Sequence, residues 1–344
     1  MIVVMEPKAT EEQINRVVDY IQSKGLRVNI NRGEHLTVVA VLGDKAKLSQ
    51  SSINSIDGVH EVKIIQEPYK LVSRSTKEED TVITFKNGVK IGGLERPVIM
   101  AGPCSVEKDF EGLLKVAQAA KEMGCQFLRG GAFKPRTSPY DFQGLEEKGL
   151  QYLAQAREKT GLLVVTEIMD TMDIPLVCKY ADVLQVGARN MQNFKMLKAL
   201  GKIDKPVMIK RGAAATIREF LLAAEYVVYN GNPNVILCER GIKGIDNDYT
   251  RNTLDIAAVP IIRKYSHLPI IVDPSHGTGK RYLIEPMGKA ALIAGAHGLM
   301  IEVHHDPDHA SSDGAQSLSI DQFKDVAKRL NKLLGRIDYD NRNS

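Results

Sequence analysis

Long apolar runs are missing from this chain: nowhere do roughly eighteen consecutive apolar residues occur, the length a helix needs to cross a bilayer. The N-terminus, Met1-Ile2-Val3-Val4-Met5-Glu6-Pro7, has neither the basic start nor the extended apolar stretch of an export signal. Cysteine is scarce. Cys104, Cys125, Cys178 and Cys238 lie far apart and form no CxxC pair, which argues against a disulfide framework and fits a reduced, cytoplasmic protein. Net charge is small too: +4 does not point to a nucleic-acid partner, so only local clusters of cations are informative.

What is present is an ordinary globular composition, 43% hydrophobic and 26% charged. The 344 residues suffice for a large domain plus a small one. The small one comes first. Residues 2–5 and 26–31 read as strands around a helix that Thr10 and Gln13 start as a capping box and Gly25 ends. A strand at 36–42, a short helix at about 45–56 and a strand at 59–65 complete a βαββαβ order, that of a ferredoxin-like sandwich. Residues 1–66 hold no cluster of reactive side chains, so this module either senses a ligand or only packs. Residues 67–80, with the polar run from Ser73 to Asp80, form a linker. Residues 81–85 and 89–91 form a hairpin turning on Asn87-Gly88.

From residue 97 onward, short apolar runs at 98–101, 127–128, 162–166, 183–186, 207–209, 235–238, 270–272 and 298–301 alternate with helical segments such as 109–123, 217–229 and 281–294. Eight βα units in about 240 residues predict a (β/α)8 TIM barrel, an α/β fold spanning 81–338 with its N-terminal hairpin. An open doubly wound sheet is the alternative, but no GxGxxG follows the first run to support it. A last helix at about 321–334 closes the barrel, and 338–344 reads as a loose tail.

In such a barrel, function collects where strands run into the loops after them. Those positions carry Cys104; Arg129, Lys134, Arg136 and Thr137; Glu167; Arg189; Lys210 and Arg211; Glu239 and Arg240; Asp273 and His276; Glu302 and His304; and Asp313. The set divides by chemistry. Cys104, His276, Glu302 and Asp313 offer sulfur, nitrogen and two carboxylates, which suit a borderline divalent cation such as Mn, Fe, Co or Zn. Taken singly, Cys104 reads as a buried thiol and Asp313 before Gly314 as a turn residue; the ligand inference needs the fold to unite four loops. The cations Arg129, Lys134, Arg136, Arg189, Lys210 and Arg240 would repel one another at one mouth unless anions bind between them, so phosphates and carboxylates are the expected substrate groups. Salt bridges to Glu167 or Glu239 are the other use for such cations.

Ala101-Gly102-Pro103-Cys104-Ser105, Lys134-Pro135-Arg136-Thr137, Gly187-Ala188-Arg189-Asn190, Asp273-Pro274-Ser275-His276 and Ser312-Asp313-Gly314 follow in order over about 97–334. Together they resemble the 3-deoxy-D-arabino-heptulosonate 7-phosphate (DAHP) synthases. Residues 1–66 further resemble the regulatory module of the branch with an N-terminal ferredoxin-like domain, as opposed to the branch fused to chorismate mutase. The resemblance implies an aldol-like condensation of phosphoenolpyruvate with erythrose 4-phosphate, the first step of the shikimate pathway. It implies Cys104, His276, Glu302 and Asp313 as ligands of one divalent ion, manganese foremost. Arg129, Lys134, Arg189, Lys210 and Arg240 would hold phosphoenolpyruvate, and Arg136 with Thr137 the aldose phosphate. It also implies a homotetramer. The sister family making 3-deoxy-D-manno-octulosonate 8-phosphate carries Lys-Ala-Asn-Arg-Ser where this chain has Lys134-Pro135-Arg136-Thr137-Ser138, which favours the four-carbon sugar.

Within that reaction Lys210 and Glu167 are the candidates for proton handling, with Cys104 and His276 holding the catalytic metal. Residues 1–66 are expected to bind tyrosine or phenylalanine as a feedback inhibitor. Two other readings stay open from the sequence: a Schiff-base aldolase using Lys210, and a non-catalytic amino-acid sensor with a relic barrel.

Overall fold

The structure, a computed structural model, describes residues 1–33, 36–43, 48–63, 68–136, 138–246 and 248–343, with side chains to residue 336. The chain divides into two compact units, Met1–Asp80 with Lys264–His267, and Thr81–Arg263 with Leu268–Ser344. The expectations at Thr137, His35, residues 45–47 and Ile65 lie outside the described residues.

The first unit runs β1 (Ile2–Met5), α1 (Glu11–Ser23), β2 (Arg27–Arg32), β3 (Thr37–Leu42), α2 (Gln50–Asn54) and β4 (Val59–Lys63). Its sheet is antiparallel in the order β2-β3-β1-β4, the ferredoxin-like arrangement. Helix α1 starts on the Thr10–Gln13 capping box, and Gly25 follows its end at φ 74°, a conformation glycine adopts without a Cβ clash. Ile14, Val17 and Ile21 share one face of α1 at helical spacing. They pack on Val3, Met5, Val39 and Val41 to form a closed apolar core.

The second unit opens with the hairpin β5 (Ile83–Thr84) and β6 (Lys90–Ile91), turned through Asn87 and Gly88. Strands β7 (Val98–Gly102), β8 (Phe127–Arg129), β9 (Leu163–Ile168), β10 (Val183–Val186), β11 (Val207–Lys210), β12 (Val235–Glu239), β13 (Ile270–Val272) and β14 (Gly298–Glu302) follow. They close into an eight-stranded parallel barrel, with β14 pairing β7. The helices are α3 (Phe110–Glu122), α4 (Glu146–Thr160), α5 (Ile174–Tyr180), α6 (Phe194–Leu200), α7 (Ile217–Tyr229), α8 (Ala258–Tyr265), α9 (Pro274–Thr278), α10 (Arg281–Ile293) and α11 (Ile320–Asn343). Helix α11 corrects one expectation: the chain stays helical to Asn343 instead of loosening after 334. Residues 335–343 contain no proline, and Gly335 has open space around it, so nothing local stops the helix. Among the described residues no helix is long and apolar enough to cross a membrane.

The barrel interior explains how polar residues reach its mouth. Side chains on a strand alternate faces, so every second residue points inward. Val98, Met100, Phe127, Val165, Val183, Met208, Ile236, Cys238, Ile271 and Met300 form one buried cluster. Ile83, Phe85 and Ile91 of the hairpin seal it at the N-terminal end, where Phe85 meets Phe127 edge-on at 5.1 Å. Two residues beyond the inward apolar positions, the same face becomes polar. Phe127 leads to Arg129, Val165 to Glu167, Val183 to Gln185, Met208 to Lys210, Cys238 to Arg240, Ile271 to Asp273 and Met300 to Glu302. The interior thus changes from apolar to polar along seven of the eight strands, and on β7 Met100 leads to Gly102.

Candidate active site

At the C-terminal ends of the strands lies a cavity of about 330 Å3 lined by Arg129, Lys134, Arg136, Arg189, Lys210 and Arg240, all six cations singled out in the sequence. Glu167, His276 and Asp313 line it as well. Close backbone approach makes room at two points. Gly102 (φ 152°) lets β7 pass against the Arg129 carbonyl, and a Cβ at Gly187 would fall on the Glu167 carboxylate.

Four of the six cations stand against an acid or thiol side chain, while Arg189 and Arg240 meet backbone carbonyls. Arg129 Nη1 lies 2.9 Å from Glu302 Oε1, Lys210 Nζ 2.5 Å from Asp273 Oδ2 and Lys134 Nζ 3.0 Å from Cys104 Sγ. Arg136 Nε is 3.4 Å from Asp141 Oδ2 but has no hydrogen-bond partner. Arg189 donates to the Pro135 carbonyl at 3.2 Å, and among the described residues Arg240 donates only to the Gly241 carbonyl at 3.4 Å. Arg240 is buried, and burial pulls its guanidinium below the usual value even though Asp273 pulls the other way. A buried cation so weakly paired is costly, and a bound anion offsets that cost.

At the floor, the ligand atoms of Cys104, His276, Glu302 and Asp313 all lie within 4.8 Å of one another. His276 Nε2 is 3.3 Å from Glu302 Oε1 and 3.7 Å from Asp313 Oδ2, and Cys104 Sγ donates to Asp313 Oδ2 at 3.0 Å. Donors about 2.1–2.3 Å from a tetrahedral ion stand roughly 3.4–3.8 Å apart, so these four fit a metal ion with little movement. Cys104 and Asp313 come from the loops after β7 and β14, His276 from α9 directly after β13, and Glu302 from the end of β14 itself.

Local charges set the protonation of this floor. Burial, and then the Glu302 charge, push the Cys104 thiol up to about 12, so a metal would have to displace its proton. Asp313 is held below the usual carboxylate range: burial pushes it up, but His276, the Cys104 thiol and Arg251 outweigh that. Burial lowers His276, against the pull of Asp273 and Glu302. Asp273 is wholly buried, and burial alone would raise it. His276 and Lys210 together hold it well below the carboxylate range. Its Oδ1 accepts the His276 backbone N–H at 2.9 Å, and its Oδ2 faces His276 Nδ1 at 2.7 Å. An acceptor there requires the proton on Nδ1 and leaves the Nε2 lone pair toward the cluster.

Some sequence-flagged residues sit elsewhere. Arg211 and Glu239 are out of step with the inward face; they pair at 2.9 Å beside Asp255 as a buried support. His304 faces Glu107 at 3.4 Å and does not line the cavity. Cys125 and Cys238 are buried packing thiols and Cys178 is half-buried. Three polar lining residues escaped the sequence reading. Gln185, whose amide lies 3.4 Å from Glu167, was detectable from the period-two pattern of β10; Arg251 and Asn252, on the long polar loop after β12, carried no such signal.

A barrel mouth with thiol, imidazole and carboxylates under a cage of cations defines a (β/α)8 enzyme for anionic substrates. A model of the DAHP synthetase I family matches residues 80–338, and one of the DAHP synthase ferredoxin-like domain matches 1–67. The chain belongs to the DAHP synthetase I family and is an enzyme of the DAHP synthase type. It is 51% identical over 333 residues to the phospho-2-dehydro-3-deoxyheptonate aldolase of Thermotoga maritima, covering 97% of each chain. A crystal structure of DAHP synthase from Thermotoga maritima matches with a TM-score of 0.77 and 50% identity, over 98% of both chains. More distantly, the 2-dehydro-3-deoxyphosphooctonate aldolase of Nitrobacter hamburgensis is 32% identical over 259 residues, 69% of this chain and 88% of that one.

Proposed function

We propose that the chain condenses phosphoenolpyruvate with erythrose 4-phosphate to give DAHP and phosphate, the entry step to aromatic amino acids, with the help of one divalent metal ion. The observation that carries this reading is the four-donor cluster at the floor of a cavity lined by six cations. Cys104, His276, Glu302 and Asp313 hold the ion, manganese foremost, with iron, cobalt or zinc also suited to the donors. When bound, it supplies Lewis-acid polarisation of the aldehyde oxygen.

Arg129, Lys134, Arg189, Lys210 and Arg240 hold the carboxylate and phosphate of phosphoenolpyruvate, while Arg136 and Thr137 take the aldose phosphate. Held this way, C3 of phosphoenolpyruvate attacks the aldehyde carbon without paying the entropy of encounter. Positive charge then develops at C2, where water adds; Glu167 and Lys210 move the protons around that water. Phosphate leaves by C–O cleavage, and the fixed cations stabilise it without reorganising.

Phosphate release from phosphoenolpyruvate tests this directly. Release is expected with erythrose 4-phosphate, to be at least tenfold slower with arabinose 5-phosphate, and to stop on treatment with EDTA. Preference for the five-carbon sugar would move the chain to the sister reaction. Turnover indifferent to EDTA, with substrate trapped on Lys210 by borohydride, would favour a Schiff-base aldolase instead.

The division into residues 1–66 as a regulatory domain, 67–80 as a linker and 81–338 as the catalytic barrel belongs to this reading, as do a homotetramer and a cytoplasmic location. Residues 1–66 bind tyrosine or phenylalanine as a feedback inhibitor. Support comes from a cavity of about 240 Å3 in the first unit, formed by residues 1–66 together with the linker, where Asn31 of β2 and Lys77 and Glu79 of the linker offer partners for an amino-acid zwitterion. The Thr76 hydroxyl beside it is buried without a hydrogen-bond partner. A chain lacking residues 1–70 is expected to turn over normally and to lose inhibition by both amino acids; inhibition that survives the deletion would place the effector elsewhere.

A further inference from the structure

The thiol and the two carboxylates of the four-donor cluster each stand against a cation. Lys134 stands against Cys104, Arg129 against Glu302, and Arg251 Nη1 lies 3.0 Å from Asp313 Oδ1. The first two cations belong to the substrate-holding set described above; Arg251 lines the same cavity outside that set. The same Nη1 lies 3.1 Å from Gln316 Oε1, and the buried Gln316 amide reaches Glu302 Oε2 at 2.5 Å. One guanidinium therefore touches one carboxylate of the cluster directly and the other through a single amide.

The loop that carries Arg251 is itself tied to the third donor. The Arg251 backbone N–H donates to the Thr278 carbonyl at 2.8 Å, and the Asn252 amide donates to the His276 carbonyl at 3.1 Å. The Asp313 backbone, at φ 50° in the left-handed region, is held through its carbonyl by the N–H groups of Gln316 and Ser317 and by the Ser317 hydroxyl, none of which holds the carboxylate. Its carboxylate needs an outside partner to stay turned. With Oδ1 engaged by Arg251, Oδ2 is left facing Cys104 and His276 Nε2.

We propose that Arg251 is a positioning residue for the metal site, holding Asp313 directly and Glu302 through Gln316 with their free oxygens turned into the cluster. The inference rests on the metal-dependent reading of that cluster and adds a residue to it. The guanidinium is 42% exposed, so solvent screens its charge and the main effect is geometric.

The test is a Co2+ titration of the metal-free full-length chain, followed by the thiolate-to-cobalt absorption and the d–d bands, with melting of the metal-free forms alongside. R251M is expected to lower Co2+ affinity by about 10–100-fold, the usual effect of removing a partner that orients a ligand. It should also alter the d–d bands and leave the metal-free melt unchanged. R251K should recover most of the affinity, since a lysine still donates to both acceptors. Wild-type affinity in R251M, or R251K no better than R251M, would overturn the proposal. Should R251M not fold, R251A, which also removes every donor, decides by the same criteria. A wild-type chain with no thiolate band would overturn the metal-site reading and this proposal together; a normal wild-type band with an unaltered R251M overturns this proposal alone.

Discussion

Replacing Cys104 with alanine is expected to lower kcat by at least about 10^3-fold, because it removes the only soft donor of the cluster and with it several kcal/mol of transition-state stabilisation. The substitution should cost little stability: the thiol is 1% exposed and its side chain is small. Lys134, however, loses the sulfur 3.0 Å from its Nζ, so part of the phosphoenolpyruvate clamp loosens as well. Metal content after dialysis, the thiolate-to-cobalt band and kcat are the measurements; all three should fall together. The wild-type site carries a pH signature too. The Cys104 thiol stands at about 12 without metal, so binding an ion must release its proton. Metal affinity should therefore rise with pH through the neutral range. Full activity of C104A in rigorously metal-free buffer would remove this residue from the mechanism.

Much of this site can be read from spacing alone, because a strand fixes which residues share a face. Arg129, Glu167, Lys210, Asp273 and Glu302 each stand two places after an inward apolar residue, so the barrel pattern carries them to the mouth. The same arithmetic distinguishes Lys210 from Arg211, which stays off the cavity and pairs with Glu239. Residues on long loops are a different matter. Arg251 lies in a polar stretch from 241 to 257 with no periodicity, and its place beside Asp313 depends on contacts between loops far apart in sequence. Helix α11 outran its expected end because residues 335–343 hold no proline to stop it, and the backbone stays helical to Asn343. An amphipathic pattern marks where a helix packs, and a helix can extend beyond its packed face.

Asp273→Asn should have the second large effect, through a side chain that touches no substrate. Its Oδ1 would still accept the His276 backbone N–H, so the loop keeps its shape. At the Oδ2 position, though, a carboxamide N–H would face the Lys210 amine and the proton on His276 Nδ1. Donor would meet donor. The imidazole can relieve the clash only by moving its proton to Nε2, which removes the lone pair that faces Glu302 and Asp313. A wrong tautomer of this kind costs a triad enzyme about 10^4-fold, and a drop of roughly 10^3–10^4-fold in kcat/KM is expected here. Stability should fall as well, by about 3–5 kcal/mol at pH 7, because Lys210 becomes a buried cation without its counter-charge. The pH dependence follows from the depressed carboxyl of Asp273: its contribution is fully present above the unfolded value near 3.8 and is lost as pH falls through the lower folded value. The stability gap between wild type and D273N in denaturant titrations should therefore be constant near neutrality and narrow below about pH 4. A variant within tenfold of wild-type turnover and within about 1 kcal/mol of its stability would mean that Asp273 neither sets the imidazole tautomer nor balances Lys210.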